Sequence, residues 1–340
     1  MTDPLLVADL SESQLLSRIF PLLPHGQATI VGPGDDAAVV RAPDGRFVVS
    51  TDVLVENHHF RRAWSSGYDV GWRAAMQNLA DCAAMGARTT SLVVALVIPP
   101  SLEVEWVTDL ARGLADACAL HGAAVVGGDL SGGENVVVAV TVHGDLEGRG
   151  PVLRSGARPG DVLAHAGVLG RSAAGLALLE ADRSAVSPGL VESFLRPAPP
   201  LDSGVDAAVA GATAMLDVSD GLLRDAGRIA AASGVVLDLE DPYVVLAGDV
   251  AALQPACEEL GTDPLSWLLT GGEDHGMLAT FPEGVQLPQG FRAIGRVKGT
   301  VVETSDRQTW TGSIPESPMT VMVCGAAPTV DGPGWDHFAG

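Results

Sequence analysis

Lysine is almost missing from this chain. Lys298 is the only one in 340 residues, and Lys plus Arg number 20 against 42 Asp plus Glu, a formal charge of −22. No G-x-x-x-x-G-K-S/T run exists, so a P-loop nucleotide site is excluded. A protein-kinase site is excluded too, because the catalytic lysine and an H-R-D loop are both absent. The acidic balance opposes extended contact with nucleic-acid phosphates, which calls for a basic face. Cysteine is scarce as well: Cys82, Cys118, Cys257 and Cys324 lie far apart and form no C-x-x-C pair. They are expected to be reduced residues of a cytoplasmic protein. The longest apolar runs, 91–100 and 136–142, are too short to cross a bilayer. The opening Met1-Thr2-Asp3-Pro4 has neither the basic nor the apolar region of a secretory signal, so no membrane partner is expected. Any phosphate chemistry must rest on metal ions, backbone N–H groups and arginine.

What the chain does have is acid where apolar strands stop. Five stretches share this pattern: Gly34-Asp35-Asp36-Ala37-Ala38, Ser50-Thr51-Asp52, Gly127-Gly128-Asp129, Asp217-Val218-Ser219-Asp220-Gly221 and Gly271-Gly272-Glu273-Asp274. Such carboxylates converge only if something positive holds them, and magnesium with a polyphosphate is the usual partner. Each stretch also has an ordinary explanation. Asp35-Asp36 suits a turn, and Asp52 can cap the segment after its strand. Gly127-Gly128-Asp129 suits a hairpin into Val136, and Ser219 an N-cap. Asn78 and Asp81, three apart on an expected helix of small and apolar residues, share one face. A carboxylate there needs a cation or access to water. His58-His59 has no zinc motif around it, and one imidazole is expected to donate to an anionic substrate. Trp335 could stack on a planar ligand or anchor the tail.

Apolar runs and turn residues predict strands at 47–52, 91–98, 123–126, 136–143, 161–166, 214–218, 235–239, 277–281 and 291–297. Helices are expected at 68–85, from a Ser101 cap to about 121, at 172–179, 220–232 and near 250–260. Strands alternating with helices indicate an α/β or α+β layered fold. The Glu147-Gly148-Arg149-Gly150-Pro151 stretch separates two expected domains, 1–148 and 149–340.

Taken together, these motifs resemble the thiamine-monophosphate kinase family. The resemblance rests on the five acidic stretches in their order. It also rests on Asn57-His58-His59-Phe60, Asn78-Leu79-Ala80-Asp81, Ala83-Ala84-Met85-Gly86-Ala87, the run from Arg154 to Asp161, and Trp335-Asp336-His337-Phe338. It implies the two-domain fold of the aminoimidazole-ribonucleotide synthetase superfamily, with N-terminal domains pairing in a homodimer to form a β-barrel and a C-terminal α/β domain that completes the active site. It also implies the reaction: ATP phosphorylates thiamine monophosphate to thiamine diphosphate by direct in-line transfer with several Mg²⁺ ions, the last step of thiamine diphosphate biosynthesis. By motif position, Asp36, Ser50, Thr51, Asp52, Asp81, Asp129, Asp217 and Asp220 are implied as magnesium ligands. Gly128, Asp129, Arg154 and Ser219 are implied as ATP contacts, and His59, Glu273 and Trp335 as substrate contacts. The chain departs from the family's usual Gly-Gly-Glu-Asp-Tyr-Glu-Leu at Gly271-Gly272-Glu273-Asp274-His275-Gly276-Met277. It departs from Gly-Gly-Asp-Thr at Leu130.

The acceptor in such a reaction is an ionised phosphate oxygen, so no general base is required. Two polyanions must instead be held together. At about 4 Å, two unit charges repel by roughly 4 kcal/mol at an effective dielectric near 20. Metal ions and Arg154 would offset this. Two rivals stand beside this expectation. A selenophosphate synthetase is expected to carry a reactive Cys and Lys near the N-terminus, where this chain has neither before Cys82. A non-catalytic nucleotide or thiamine-phosphate binder would not need so many acidic positions.

Overall fold

The computed structural model describes residues 4–33, 37–299, 320–330, 332 and 334. The chain divides into two compact units. One comprises Met1–Ala83, Ala87–Gly150 and Leu195–Ala198, the other Ala84–Gly86, Pro151–Phe194 and Pro199–Gly340. Both combine helices with sheets, in keeping with the α/β expectation.

In the first unit, helix α1 (Glu12–Ile19) starts at Ser11, whose hydroxyl accepts the Gln14 N–H while the Gln14 side chain accepts the Ser11 N–H. Strands β1 (Thr29–Val31) and β2 (Val39–Val40) make a short antiparallel ribbon. The main sheet holds β3 (Val48–Val55), β4 (Arg88–Ile98), β5 (Ala124–Gly132) and β6 (Val137–Asp145) in the order β3-β6-β4-β5. Helix α2 (Gly67–Ala84) links β3 to β4, and α3 (Val104–Ala119) carries the chain from β4 to its parallel partner β5. Alternation along β6 buries Val138, Val140 and Val142 completely, while the opposite face of the sheet stays open, with Val49 56 % and Val53 44 % exposed. Helices α2 and α3 cross backbone to backbone. A Cβ on Gly71 would lie 2.0 Å from the Leu110 carbonyl oxygen, and one on Gly113 2.1 Å from that of Tyr68.

The second unit is built on a six-stranded sheet of β7 (Val162–Ala166), β8 (Ala214–Val218), β9 (Val236–Leu239), β10 (Gly276–Phe281), β11 (Phe291–Lys298) and β12 (Val321–Val323). Their order is β12-β9-β11-β7-β10-β8, antiparallel except for the β12/β9 pair. Around it run α4 (Arg171–Glu180), α5 (Pro188–Leu195), α6 (Leu201–Val209), α7 (Leu222–Ser233), α8 (Pro242–Val245), α9 (Ala247–Leu260) and α10 (Pro264–Thr270). Leu163, Leu278 and Phe281 are fully enclosed at its centre.

Three local expectations are corrected. Gly127-Gly128-Asp129 is not a hairpin turn: β5 runs through it, and β4 rather than β5 pairs with β6. Helix α3 starts at Val104, with Glu103 and not Ser101 at its cap position, because Ser101 is taken up in a turn closed by the Leu102 N–H on the Pro99 carbonyl and Glu103 bridges to Leu6. Ser219 does not cap α7; Gly221 does, at φ 116°, a conformation that favours glycine.

Because no side chain fits where α2 and α3 touch, Gly71→Ala is expected to lower unfolding free energy by about 1–3 kcal/mol, the usual range for overpacking. Urea unfolding followed by circular dichroism checks this; an unchanged midpoint would count against the close crossing.

Candidate active site

In the first unit, β3 presents Ser50 and Asp52 on one face, two residues apart, toward one turn of α2 that carries Gln77, Asn78 and Asp81. The Ser50 hydroxyl donates to Asp81 Oδ2 at 2.6 Å, and the Gln77 amide donates to Asp52 Oδ2 at 3.3 Å. Asn78 is 1 % exposed; its amide donates to the Ala74 carbonyl, and its Oδ1 is buried with no hydrogen-bond partner. Thr51 lies on the other face by strand alternation, where its hydroxyl donates to the Val140 carbonyl at 2.9 Å.

Gly128 and the exposed Asp129 lie on β5 beside Val94 and Ala95 of β4. A Cβ at Gly128 would stand 2.0 Å from the Val94 carbonyl oxygen, so the position requires glycine. A cavity of about 860 Å³ borders Gly128 and Asp129, with Arg41 at its wall and Leu16, Phe47, Leu110 and Val125 among its apolar lining.

His59 follows β3 in a loop that begins with left-handed Asn57 (φ 68°) and is anchored by buried Phe60. Its Nδ1 accepts the Val55 N–H at 3.0 Å, which puts the proton of the neutral ring on Nε2. Arg73 donates to the His59 carbonyl, while His58 is exposed.

In the second unit, β10 pairs with β8, and the 271–275 loop is fastened to the end of β8. Glu273 N–H donates to the Ser219 carbonyl at 2.8 Å and His275 N–H to the Val218 carbonyl at 3.0 Å. This brings the His275 ring against Asp217, with Nδ1 3.0 Å from Oδ2, while Nε2 lies 3.8 Å from Glu273 Oε2. Burial alone would lower the imidazole's pKa, but the two carboxylates outweigh it and lift it from 6.5 to about 10. Asp274 turns away to accept the N–H groups of Arg171 and Ser172 at the start of α4. Burial pushes its carboxyl up to about 6 against those bonds. Asp220 is ion-paired with Arg228, which also holds buried Asp225. Arg154 is exposed, and its carbonyl accepts the Ser233 hydroxyl.

Asp36 and Trp335 lie outside the described residues. Among the described residues no group of three or more His, Cys, Asp or Glu side chains is spaced to hold a metal ion. The structure thus joins Ser50 with Asp81, Asp52 with Gln77, and Asp217 with His275 and Glu273. Gln77, Arg228 and His275 had no functional signal of their own in the sequence. His275 stood out only as a departure from a motif, and the other two are recognisable only once their partners are in place.

Residues 34–146 match the family described as AIR synthase related protein, N-terminal domain. The thiamine-monophosphate kinase of Mycobacterium tuberculosis is 47% identical over 304 residues, covering 89% of this chain and 90% of that protein. That of Corynebacterium glutamicum is 43% identical over 291 residues, covering 81% and 85%. Among solved structures, AaThiL complexed with AMPPCP and TMP aligns with a TM-score of 0.75 at 32% identity, covering 89% of this chain and 91% of that one.

The raised pKa of His275 carries a sign. A folded-state value above the unfolded one supplies stability that is complete below about pH 6.5 and lost as pH rises through about 10. In metal-free buffer the melting temperature is expected to fall between pH 7 and 10, and His275→Gln is expected to flatten that fall. Equal slopes in the two proteins would contradict a charged ring.

Proposed function

The chain belongs to the thiamine-monophosphate kinase family, and we propose that it transfers the γ-phosphoryl group of ATP to the phosphate of thiamine monophosphate, giving thiamine diphosphate and ADP. The observation that carries this reading is the acidic face shared by β3 and α2, where Asp52 and Asp81 are each held by a neutral donor. Two carboxylates on one face, each oriented by a hydrogen bond, offer the hard oxygen ligands that a divalent cation takes. The solved relative complexed with AMPPCP and TMP supports both substrates.

The donor set fits magnesium. All the candidates are hard oxygen ligands, and they come in pairs rather than as a closed cage. That suits Mg²⁺, which is generally held by one or two carboxylates while phosphates and waters fill its shell. Asp52 and Asp81, with Asp36, Ser50, Asp129 and Asp217, are the residues we assign to it; Thr51, whose hydroxyl lies on the other face of β3, and Asp220, ion-paired with Arg228, are set apart from that group. Magnesium held by the assigned residues would neutralise phosphate charge and stabilise the transferred group. Gln77 and Ser50 fix the carboxylates in one rotamer, which limits reorganisation during transfer.

Gly128, Asp129, Arg154 and Ser219 are the proposed ATP contacts, and the cavity beside Gly128 gives the nucleoside an apolar enclosure. His59 is the proposed substrate histidine, since its Nδ1 accepts the Val55 N–H and the proton of the neutral ring is therefore on Nε2. Glu273 and Trp335 complete the substrate set. ATP and magnesium binding and dimerisation are assigned to residues 1–148, with the substrate contacts Glu273 and Trp335 in 149–340.

The open apolar face of the β3-β6-β4-β5 sheet is assigned to a homodimer, in which two copies would form the barrel. Val49, Val53 and Phe47, at 44–58 % exposure, are costly to leave in water. A cytoplasmic placement accords with four free cysteines. Burial pushes the Cys82 and Cys118 thiols up to about 12. No helix among the described residues is long and apolar enough to cross a membrane.

Incubation with ATP, Mg²⁺ and thiamine monophosphate is expected to yield thiamine diphosphate, and chelation with EDTA to abolish it. Asp52→Asn should lower kcat by about 100-fold or more with circular dichroism unchanged; a well-folded variant of near-normal turnover would rule out this metal assignment. Val53→Glu is expected to convert the dimer to a monomer in sedimentation equilibrium, and a wild-type monomer would defeat the barrel.

A further inference from the structure

One buried imidazole touches two carboxylates that the proposed reaction uses. His275 is 4 % exposed, with Nδ1 3.0 Å from Asp217 Oδ2 and Nε2 3.8 Å from Glu273 Oε2. The ring is held by the backbone at and just before it, through the bonds of His275 N–H to the Val218 carbonyl and Glu273 N–H to the Ser219 carbonyl. Glu273 and His275 both adopt left-handed conformations, φ 71° and 54°. That conformation is uncommon and costly for a residue with a Cβ, and two instances within three residues mark a loop whose geometry is over-determined by its surroundings.

Asp217 also matters for what His275 leaves open. Oδ2 accepts from the imidazole, while Oδ1 makes no hydrogen bond or ion pair with another described residue. The carboxylate is therefore oriented to offer one oxygen rather than two, as an octahedral magnesium shell prefers. The bond needs only the Nδ1 proton, which the neutral Nδ1–H tautomer and the imidazolium both carry.

We propose that His275 is a positioning residue: its Nδ1–H fixes the Asp217 carboxylate so that Oδ1 alone faces the cation, and its ring sets the distance from Asp217 to Glu273. The metal-side and substrate-side carboxylates of this unit are thereby oriented by one side chain. The inference rests on the phosphoryl-transfer reading above. Partners of this kind, which touch a ligand rather than the metal, typically change metal affinity or activity by 10–100-fold when removed.

The test uses the full chain and Mn²⁺ as a paramagnetic stand-in for Mg²⁺, titrated without nucleotide and followed by electron paramagnetic resonance. His275→Phe keeps most of the bulk and removes both nitrogens; it is expected to weaken Mn²⁺ binding by about tenfold and to lower kcat more than it raises KM for thiamine monophosphate. His275→Asn places an N–H where Nδ1 stood and is expected to stay within about threefold of wild type. Should the Phe variant fail to fold, His275→Gln, whose amide reaches the Nε2 position instead, takes its place with the same expected loss. Wild-type Mn²⁺ affinity in the Phe or Gln variant overturns the proposal, as does an equal loss in the Asn variant. The reaction is judged separately. A wild-type chain that makes no thiamine diphosphate defeats the phosphoryl-transfer reading, and the Mn²⁺ titrations then decide the positioning role alone.

Discussion

A carboxylate leaves water only when something replaces the water, and this constraint shapes both units of the chain. Six carboxylates are buried among the described residues: Glu56, Asp161, Asp217, Asp225, Asp249 and Asp274. Each has a named partner. Glu56 accepts from Arg62 and the Val136 N–H, and Asp161 from the Arg158 N–H and the Thr213 hydroxyl. Asp225 is met by Arg228, Asp249 by Arg292, Asp274 by the first N–H groups of α4 and Asp217 by His275. Unpaired, any one of them would cost several kcal/mol and would instead take up a proton. With a net charge of −22 and one lysine, the chain has few cations to place, and it places arginine, histidine and backbone N–H groups where acid is buried.

The constraint is met differently by the buried acids and by the acids proposed as magnesium ligands. Asp225, Asp249 and Asp274 are consumed by arginines and a helix terminus, and they hold elements together. Asp52 and Asp81 meet an amide and a hydroxyl, which orient them on the face shared by β3 and α2. Two neighbouring acids of one motif can thus have different fates. Glu273 stays partly open while Asp274 is enclosed, because the left-handed turn at Glu273 sends the next side chain to the opposite side of the loop.

Much of the fold was legible in the sequence. The strands at 214–218 and 277–281 and the helix at 68–85 came from apolar periodicity bounded by turn residues, and their observed limits differ by at most one residue. Other elements were not legible. Gly127-Gly128-Asp129 has the composition of a turn, yet pairing with β4 makes it strand, since Gly128 is what lets the Val94 carbonyl approach. Helices α5, α6 and α10 follow or contain prolines, Pro188, Pro200 and Pro264, which signal a break from composition but suit the first turn of a helix. Ser219 resembles a cap by type, but its carbonyl is taken by Glu273 and the chain reverses at Gly221 instead.

By itself the sequence excluded a lysine-based phosphate site and, through its resemblance to one family, pointed to phosphoryl transfer. The missing lysine and P-loop, the order of acidic stretches and the alternating layers follow from residue type and spacing, which local physics reads directly. Only the tertiary structure decided which side chain meets each acid. Asp52 and Gln77 are 25 residues apart, Ser50 and Asp81 31, and Asp217 and His275 58. Contacts of that span are fixed by strand register and by backbone hydrogen bonds between loops, and a register is a property of the whole packed unit rather than of any segment within it.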